Sequence, residues 1–295
     1  MYKNRKIILF AFASLDLKKS ILRLKKQANE SGYYSEIKIL TPNDFDNKIK
    51  IKIQNLLRNK KKKGYGYWCW KPFFLSEIMA KVDYGDIIHY IDIGCHIKKT
   101  TSNRFYEYLD LLIDNNEWLL AFQYHEKGIN FSDEIKFPKR EEFKYTKGDI
   151  FNYFQCLHKK EITHTPQFWA GSFFIKKDIK SEVFLEQWNN VFTENFHLID
   201  DTPSKTPNFN GFLENRHDQS IFSILCKKNF VNSLSAYECE WGEKNNQRTW
   251  VHNQDNPILA KRDLEYNIFR KFINRQIKNF KRKKRLLFKN LRRDG

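Results

Sequence analysis

Proline and glycine are scarce in this 295-residue chain, at 7 and 11 residues. That argues against collagen-like repeats and long flexible linkers. Cysteine is equally thin: Cys69, Cys95, Cys156, Cys226 and Cys239 are widely spaced, odd in number and form no C-x-x-C pair. A disulfide framework or a zinc ribbon does not fit that spacing, and a reducing cytoplasm does. No stretch approaches the roughly 18 apolar residues of a membrane span. One apolar run, Ile7 to Ala13, follows Lys3, Arg5 and Lys6. It is short for the apolar part of a secretory signal and reads as a first buried strand. No internal repeat is present.

What is abundant is aromatic and basic. Hydrophobic residues make up 41% of the chain and aromatics 16%, enough to build a core and to exclude wholesale disorder. The formal net charge is +18, unevenly spread. Residues 261–295 carry +11 and the preceding 260 residues only +7. The body is therefore mildly basic and the tail strongly so. Nucleic acid, anionic lipid and phosphate-bearing ligands all suit such a surface.

Patterning predicts strands over Lys6–Ala13, Ser35–Leu40, Asp86–Ile91, Trp118–Gln123, Phe168–Lys176 and Phe230–Ser235. Helices are predicted over Leu17–Glu30, Phe45–Leu57, from Pro72 to about Val82, Arg104–Asn115, Lys180–Phe196 and His217–Lys228. Arg58–Lys63 reads as a basic turn, residues 125–148 as a mobile loop and Ile199–Phe212 as a long loop. Strands alternating with helices imply an α/β layered domain with a largely parallel sheet. From Ile268 onward, Phe269, Phe272, Ile273, Ile277, Phe280, Leu287 and Leu291 recur near helical spacing among Arg and Lys, which describes a basic amphipathic helix. The domain reading is 1–260 for the α/β body and 261–295 for the tail.

Five places could carry chemistry, each with a plainer alternative. Asp92 ends an apolar strand in Tyr90-Ile91-Asp92-Ile93-Gly94, where a carboxylate projects into the crevice of an open sheet and can hold a divalent cation. Equally, it could only cap a turn with Gly94. The block Gly64-Tyr65-Gly66-Tyr67-Trp68-Cys69-Trp70-Lys71-Pro72 offers flat faces for a sugar or nucleobase and a lysine for phosphate, or a core cluster before a helix. In Phe168-Trp169-Ala170-Gly171-Ser172, Gly171 marks close approach by a ligand or a functionless bulge. Asp218, in Arg216-His217-Asp218-Gln219-Ser220, is a general base, an acceptor ligand or a helix cap. His252 is a metal ligand or a structural histidine.

The order of these blocks resembles that of GT-A-type nucleotide-sugar glycosyltransferases of bacterial capsule and lipopolysaccharide loci, distantly like the retaining family 8 type. The likeness runs from about residue 5 to 255 and rests on Gly64–Pro72, Tyr90-Ile91-Asp92-Ile93-Gly94-Cys95, Trp169-Ala170-Gly171-Ser172 and His217-Asp218-Gln219-Ser220. It implies a single Rossmann-like GT-A domain that moves a sugar from a nucleotide donor, UDP-galactose in pyranose or furanose form, to a growing surface polysaccharide or lipid-linked glycan. Asp92 then inherits the place of the Asp-x-Asp motif, with Gly94 where the second Asp would stand. The implied cofactor is Mn2+ or Mg2+ on Asp92 and His252. Implied donor contacts are Phe12, Ala13, Ser14, Tyr67, Trp70, Lys71, Tyr90, Asp92 and Gly171. Implied acceptor contacts are Trp169, His217 and Asp218, with Asp218 the base in an inverting enzyme. The tail would rest on an anionic membrane surface, placing the enzyme in the cytoplasm at the inner face. The competing readings are a nucleic-acid-binding protein, which the weakly charged body disfavours, and a sugar-phosphate or nucleotidyl transferase on a similar fold.

Overall fold

The computed structural model describes residues 1–57, 63–100 and 103–261. Residues 1–261 form one compact unit. The expected amphipathic helix in the tail lies outside the described residues, as does nearly all of the basic turn Arg58–Lys63.

Strands β1 (Ile7–Phe12), β2 (Glu36–Leu40), β3 (Ile87–Ile91), β4 (His96–Ile97), β5 (Leu119–Gln123), β6 (Phe168–Lys176) and β7 (Ser233–Ser235) follow in chain order. Six of them make the central sheet, in the order β2-β1-β3-β6-β5-β7. The β1/β2, β1/β3 and β5/β7 pairs are parallel, and β6 runs antiparallel to both β3 and β5. The sheet is thus mostly parallel, as expected, with one reversed strand inside it.

Near-continuous apolar strands arise because both sheet faces are covered. Alternation along β1 sends Ile8, Phe10 and Phe12 to one face and Ile7, Leu9 and Ala11 to the other. Helices Trp70–Ala80, Ile179–Glu194 and Asp218–Lys228 cover the first face with Phe74, Leu75, Trp188, Phe222 and Leu225. Helices Lys18–Ser31 and Arg104–Asp114 cover the second with Leu24, Phe105, Tyr108 and Leu112.

Most predicted elements recur within a residue or two. Residues 125–148 differ from expectation. Ile135, Phe137, Arg140, Glu142, Thr146 and Lys147 are all buried there. Glu142 is the anchor: its carboxylate accepts from Thr146 Oγ1 (2.6 Å), Gln167 Nε2 (2.9 Å) and Ser223 Oγ, and pairs with Lys227 (2.8 Å). A segment tied down by a buried ionic network is a packed connection, however polar its sequence. The hairpin β8 (Gly242–Lys244) and β9 (Gln247–Thr249) was not foreseen. Its signal was Asn245-Asn246, whose φ of 51° and 58° suits a two-residue hairpin turn. The last strand, β10 (Ile258–Leu259), pairs with β4.

Two local distortions prepare the site. In β6 the register against β5 jumps, so that Ala121 faces Phe173 but Phe122 faces Trp169. Ala170, Gly171 and Ser172 therefore bulge away from β5 and lie along the end of β3. Gly171 is required there, since a Cβ would meet the Trp169 indole at 2.4 Å. The second distortion is at Gly64–Trp68. Five successive residues have positive φ, from 52° to 91°, and N–H groups of Tyr67 and Trp68 bond to carbonyls four residues back. This is one turn of left-handed helix. For Tyr65, Tyr67 and Trp68 the cost is about 1–2 kcal/mol each. Burial of Tyr67 and Trp70 offsets it at about 1.5–3 kcal/mol per large side chain. Two hydrogen bonds add to that, Trp70 Nε1 to Gly64 O (3.1 Å) and Tyr67 OH to Asp201 Oδ2 (3.0 Å).

Candidate active site

The parallel strands β1, β2 and β3 end at one edge of the sheet, at Phe12, Leu40 and Ile91. Asp92 follows immediately. Its backbone N–H donates to Gly171 O (2.8 Å) and its C=O accepts from Cys95 N–H (2.8 Å), so the turn through Gly94 is fixed at both ends. Tyr90 OH donates to Asp92 Oδ1 (2.5 Å), and 39% of the Asp92 side chain stays exposed. Asp92 Oδ2 makes no hydrogen bond among the described residues.

Beneath it lies a buried ion pair. Lys71, in the first turn of helix Trp70–Ala80, is only 2% exposed. Its Nζ donates to Asp218 Oδ2 (2.5 Å) and to Ala170 O (3.0 Å), stands 4.0 Å from Asp92 Oδ1 and lies over the Tyr90 ring, 4.6 Å from its centroid. Asp218 opens helix Asp218–Lys228 and is 5% exposed. Burial pushes its carboxyl up to about 6, against the opposing pull of Lys71. Three distant segments thus converge on the ammonium that helix Trp70–Ala80 carries: the end of β3, the β6 bulge and the start of helix Asp218–Lys228. Gln219 braces the bulge, accepting from Ala170 N–H (3.4 Å) and donating to Gln167 Oε1 (2.6 Å), which leads on to Glu142.

The structure brings Lys71, Tyr90, Asp92, Gly171 and Asp218 together but alters several expected roles. Tyr90 is fully buried between Phe10 and Phe173, so it holds Asp92 and does not meet a ligand. Gly171 makes its close approach to the Trp169 indole, leaving no opening for a donor. Trp169 is buried by that contact and by Phe122, which removes it as an acceptor platform. Phe12 stacks on Trp70 at 4.1 Å and is covered by Phe45, Tyr65 and Phe74. Ala13 is buried too, so only Ser14 of the β1 end has free surface. Tyr67 and Trp70 are core residues, whereas Tyr65 and Trp68 are partly exposed. The aromatic block is therefore split between core and partly exposed positions.

His217 is also buried. It adopts φ 54° and ψ −118°, strained for a non-glycine residue, and its Nδ1 donates to Ile199 O (2.5 Å). The ring lies against Trp68 and Tyr67, and burial lowers the basicity of the imidazole. Nothing in the sequence flagged Asp201, which ties Tyr67 to this corner.

The space between Asp92 and Asp218, where Lys71 Nζ lies, does not fit a resident divalent cation. Gly94 supplies no side chain, and His252 donates Nε2 to the carbonyls of Tyr237 (3.0 Å) and Glu240 (3.1 Å), while its Nδ1 is buried with no hydrogen-bond partner. Among the described residues no group of three or more His, Cys, Asp and Glu side chains is placed to hold a metal ion. Asp92 and His252 belong to no such group. Two surface depressions, of about 370 Å³ beside Arg104, Glu107 and Asp110 and about 310 Å³ beside Ser76, Glu182 and Asn189, include neither Asp92 nor Asp218.

No protein-family model and no curated protein matches the sequence. Solved structures that are similar to the chain include three glycosyltransferases. Against GlyE of Streptococcus pneumoniae the identity is 14%, over 79% of this chain and 46% of that one, with a TM-score of 0.36. Mouse xyloside xylosyltransferase 1 gives 10%, 89%, 86% and 0.43. The galactosyltransferase LgtC, solved with donor and acceptor sugar analogues, gives 16%, 80%, 75% and 0.39. The chain spans about half the length of GlyE.

Proposed function

We propose that this chain transfers a glycosyl group from a nucleotide sugar to a hydroxyl acceptor. The observation that carries the reading is Asp92: a half-exposed carboxylate, held by Tyr90 at the carboxyl edge of parallel strands, where ligands of such sheets bind. The motif order seen in the sequence supports it.

Transfer requires that the departing diphosphate be stabilised and that the acceptor hydroxyl lose its proton. Asp92 is the carboxylate in reach of a ligand. It would stabilise positive charge developing on the sugar ring and, in an inverting reaction, take the acceptor proton. Asp218 is too deeply buried for direct contact and acts through Lys71, which it holds beneath Asp92. Ser14 and Lys18, at the β1 end and the start of helix Lys18–Ser31, would face the diphosphate, aided by the positive end of that helix.

The donor we favour is UDP-galactose, and the acceptor a surface-polysaccharide or lipid-linked glycan. The basic tail, 261–295, would hold the enzyme on the anionic inner face of the cytoplasmic membrane. No helix among the described residues is long and apolar enough to cross a membrane. The test is a panel of UDP-, GDP-, CMP- and dTDP-sugars scored for thermal stabilisation and for release of the free nucleotide with a new glycosidic bond. Binding without transfer to any glycan would favour a nucleotidyl or sugar-phosphate reaction. Neither binding nor release would reject the reading.

A further inference from the structure

The Lys71 ammonium has the surroundings of a bound metal ion. One carboxylate oxygen lies at 2.5 Å, a carbonyl oxygen at 3.0 Å, a second carboxylate oxygen at 4.0 Å, and an aromatic face closes the shell at 4.6 Å. Carboxylates, carbonyls and π faces are what cations seek in proteins. The helix Trp70–Ala80 delivers this charge from the side, and the β6 bulge turns the Ala170 carbonyl onto it. The space between Asp92 and Asp218 is therefore already filled, by a charge that belongs to the chain.

We infer that Lys71 is the resident cation of this site and that no divalent ion enters between Asp92 and Asp218, with or without nucleotide. A Mg2+ or Mn2+ ion needs about six oxygens near 2.0–2.2 Å. Here Asp218 Oδ2 is committed to Lys71, Asp92 Oδ1 to Tyr90, and Gly94 offers nothing, so Asp92 Oδ2 is the one unengaged oxygen among these and water or phosphate would have to supply the rest. An ion placed between the carboxylates would also be repelled by the ammonium beside it. Asp-x-Gly in place of Asp-x-Asp has the same logic: where lysine supplies the positive charge, the second acidic ligand is unnecessary. Only the nucleotide half of the claim rests on the proposed glycosyl transfer.

Electron paramagnetic resonance of Mn2+ titrated into the full-length protein tests the first half without any substrate. Wild type is expected to leave the free Mn2+ signal unchanged. Lys71→Ala empties the space and leaves two carboxylates facing it, so it should gain at least about tenfold in Mn2+ affinity. Lys71→Arg keeps the charge and should gain nothing. One Mn2+ bound per wild-type chain, and lost in Asp92→Asn, overturns the inference even if Lys71→Ala does not fold. In the second half, the melting shift caused by UDP or another stabilising nucleotide should be the same with Mn2+ and with EDTA. A shift that requires Mn2+ and is lost in Asp92→Asn overturns the inference, whereas one that survives in Asp92→Asn places the ion on the nucleotide away from this space and leaves the inference standing. If no nucleotide stabilises the protein, the glycosyltransferase reading fails and the Mn2+ titration alone decides.

Discussion

Lys71 Nζ and Asp218 Oδ2, 147 residues apart in the chain, lie 2.5 Å from each other in the interior. A buried pair of this kind is strongly interdependent. Removing one partner strands the other in a low dielectric, at about 3–5 kcal/mol, whereas an apolar pair of similar volume is often neutral. Lys71→Met should therefore destabilise the fold by about 3–5 kcal/mol at neutral pH, and Lys71→Met combined with Asp218→Leu should recover more than half of that. Urea unfolding of the two single variants and the double variant checks it. Additive losses would show that the pair is not a unit.

The elevated Asp218 carboxyl sets a pH dependence whose sign can be worked out. Its folded value is about 6, against an ordinary 3.8. Between those values the folded protein holds a proton that the unfolded chain has released. Stability contributed by this group therefore falls as pH rises from about 4 through 6. Relative to Asp218→Asn, wild type should lose stability across that window and be flat above it. Removing Lys71 takes away the influence that lowers the Asp218 value, so Lys71→Met should move the window upward. Parallel curves for wild type and Asp218→Asn would contradict the assignment.

Asp92 is the test of the chemistry. Loss of a single electrostatic stabiliser typically costs about 10²–10³ in turnover. Asp92→Asn should lose that much transfer while melting near the wild-type temperature, because the side chain is half-exposed. Tyr90→Phe removes one hydrogen bond to a charged group, about 1.5–3 kcal/mol, hence roughly tenfold to a hundredfold in rate. Initial rates with the donor found in the nucleotide-sugar panel give both numbers. Wild-type rates in Asp92→Asn would remove it from the reaction.

Much of this arrangement was legible before any coordinates. Continuous apolar strands, the proline in the first turn of its helix and Asp92 at a strand end each followed from local sequence rules, and the elements formed where those rules put them. Burial of the aromatic residues was not legible. Tyr90, Trp70 and Trp169 look like a ligand platform in sequence, because an aromatic side chain carries no mark of whether the facing layer will cover it. Handedness was hidden as well. Gly64 and Gly66 permit positive φ, but Tyr65, Tyr67 and Trp68 do not favour it, and tertiary contacts hold them there: Tyr65 against Phe12 and Phe45, Tyr67 on Asp201 and Trp68 against His217. The Lys71–Asp218 pairing depends on two segments with no sequence relation, so it could emerge only from the fold.

The Gly171 bulge yields a prediction about shape. An added Cβ would sit 2.4 Å from the Trp169 indole, so Gly171→Ala must displace that ring or the strand. Overpacking of this kind costs about 1–3 kcal/mol. The same shift would disturb the Gly171 carbonyl that fixes the Asp92 backbone, so transfer should fall beyond what reduced stability explains. A phenylalanine at position 169 is smaller. Gly171→Ala should therefore cost less in a Trp169→Phe background than in wild type, and equal costs in both would mean that the ring is not what demands glycine.

The tail can be tested by its charge. Residues 261–295 carry +11, and each Lys or Arg close to an anionic bilayer contributes about 1 kcal/mol. A handful of such contacts suffices for measurable adsorption, and mobile ions weaken them within a Debye length of about 8–10 Å. The full-length protein should pellet with vesicles rich in phosphatidylglycerol, stay in the supernatant with neutral ones, and come off as salt is raised. Replacing Lys281, Arg282, Lys283, Lys284 and Arg285 by Gln takes away five of those charges and leaves the apolar residues of the tail in place. That variant should pellet much less at low salt, while the body keeps its melting temperature. Equal pelleting of the two proteins would place membrane attraction elsewhere on the molecule. Salt-insensitive pelleting would mean that Phe269, Phe272 and Ile273 insert and that charge is secondary.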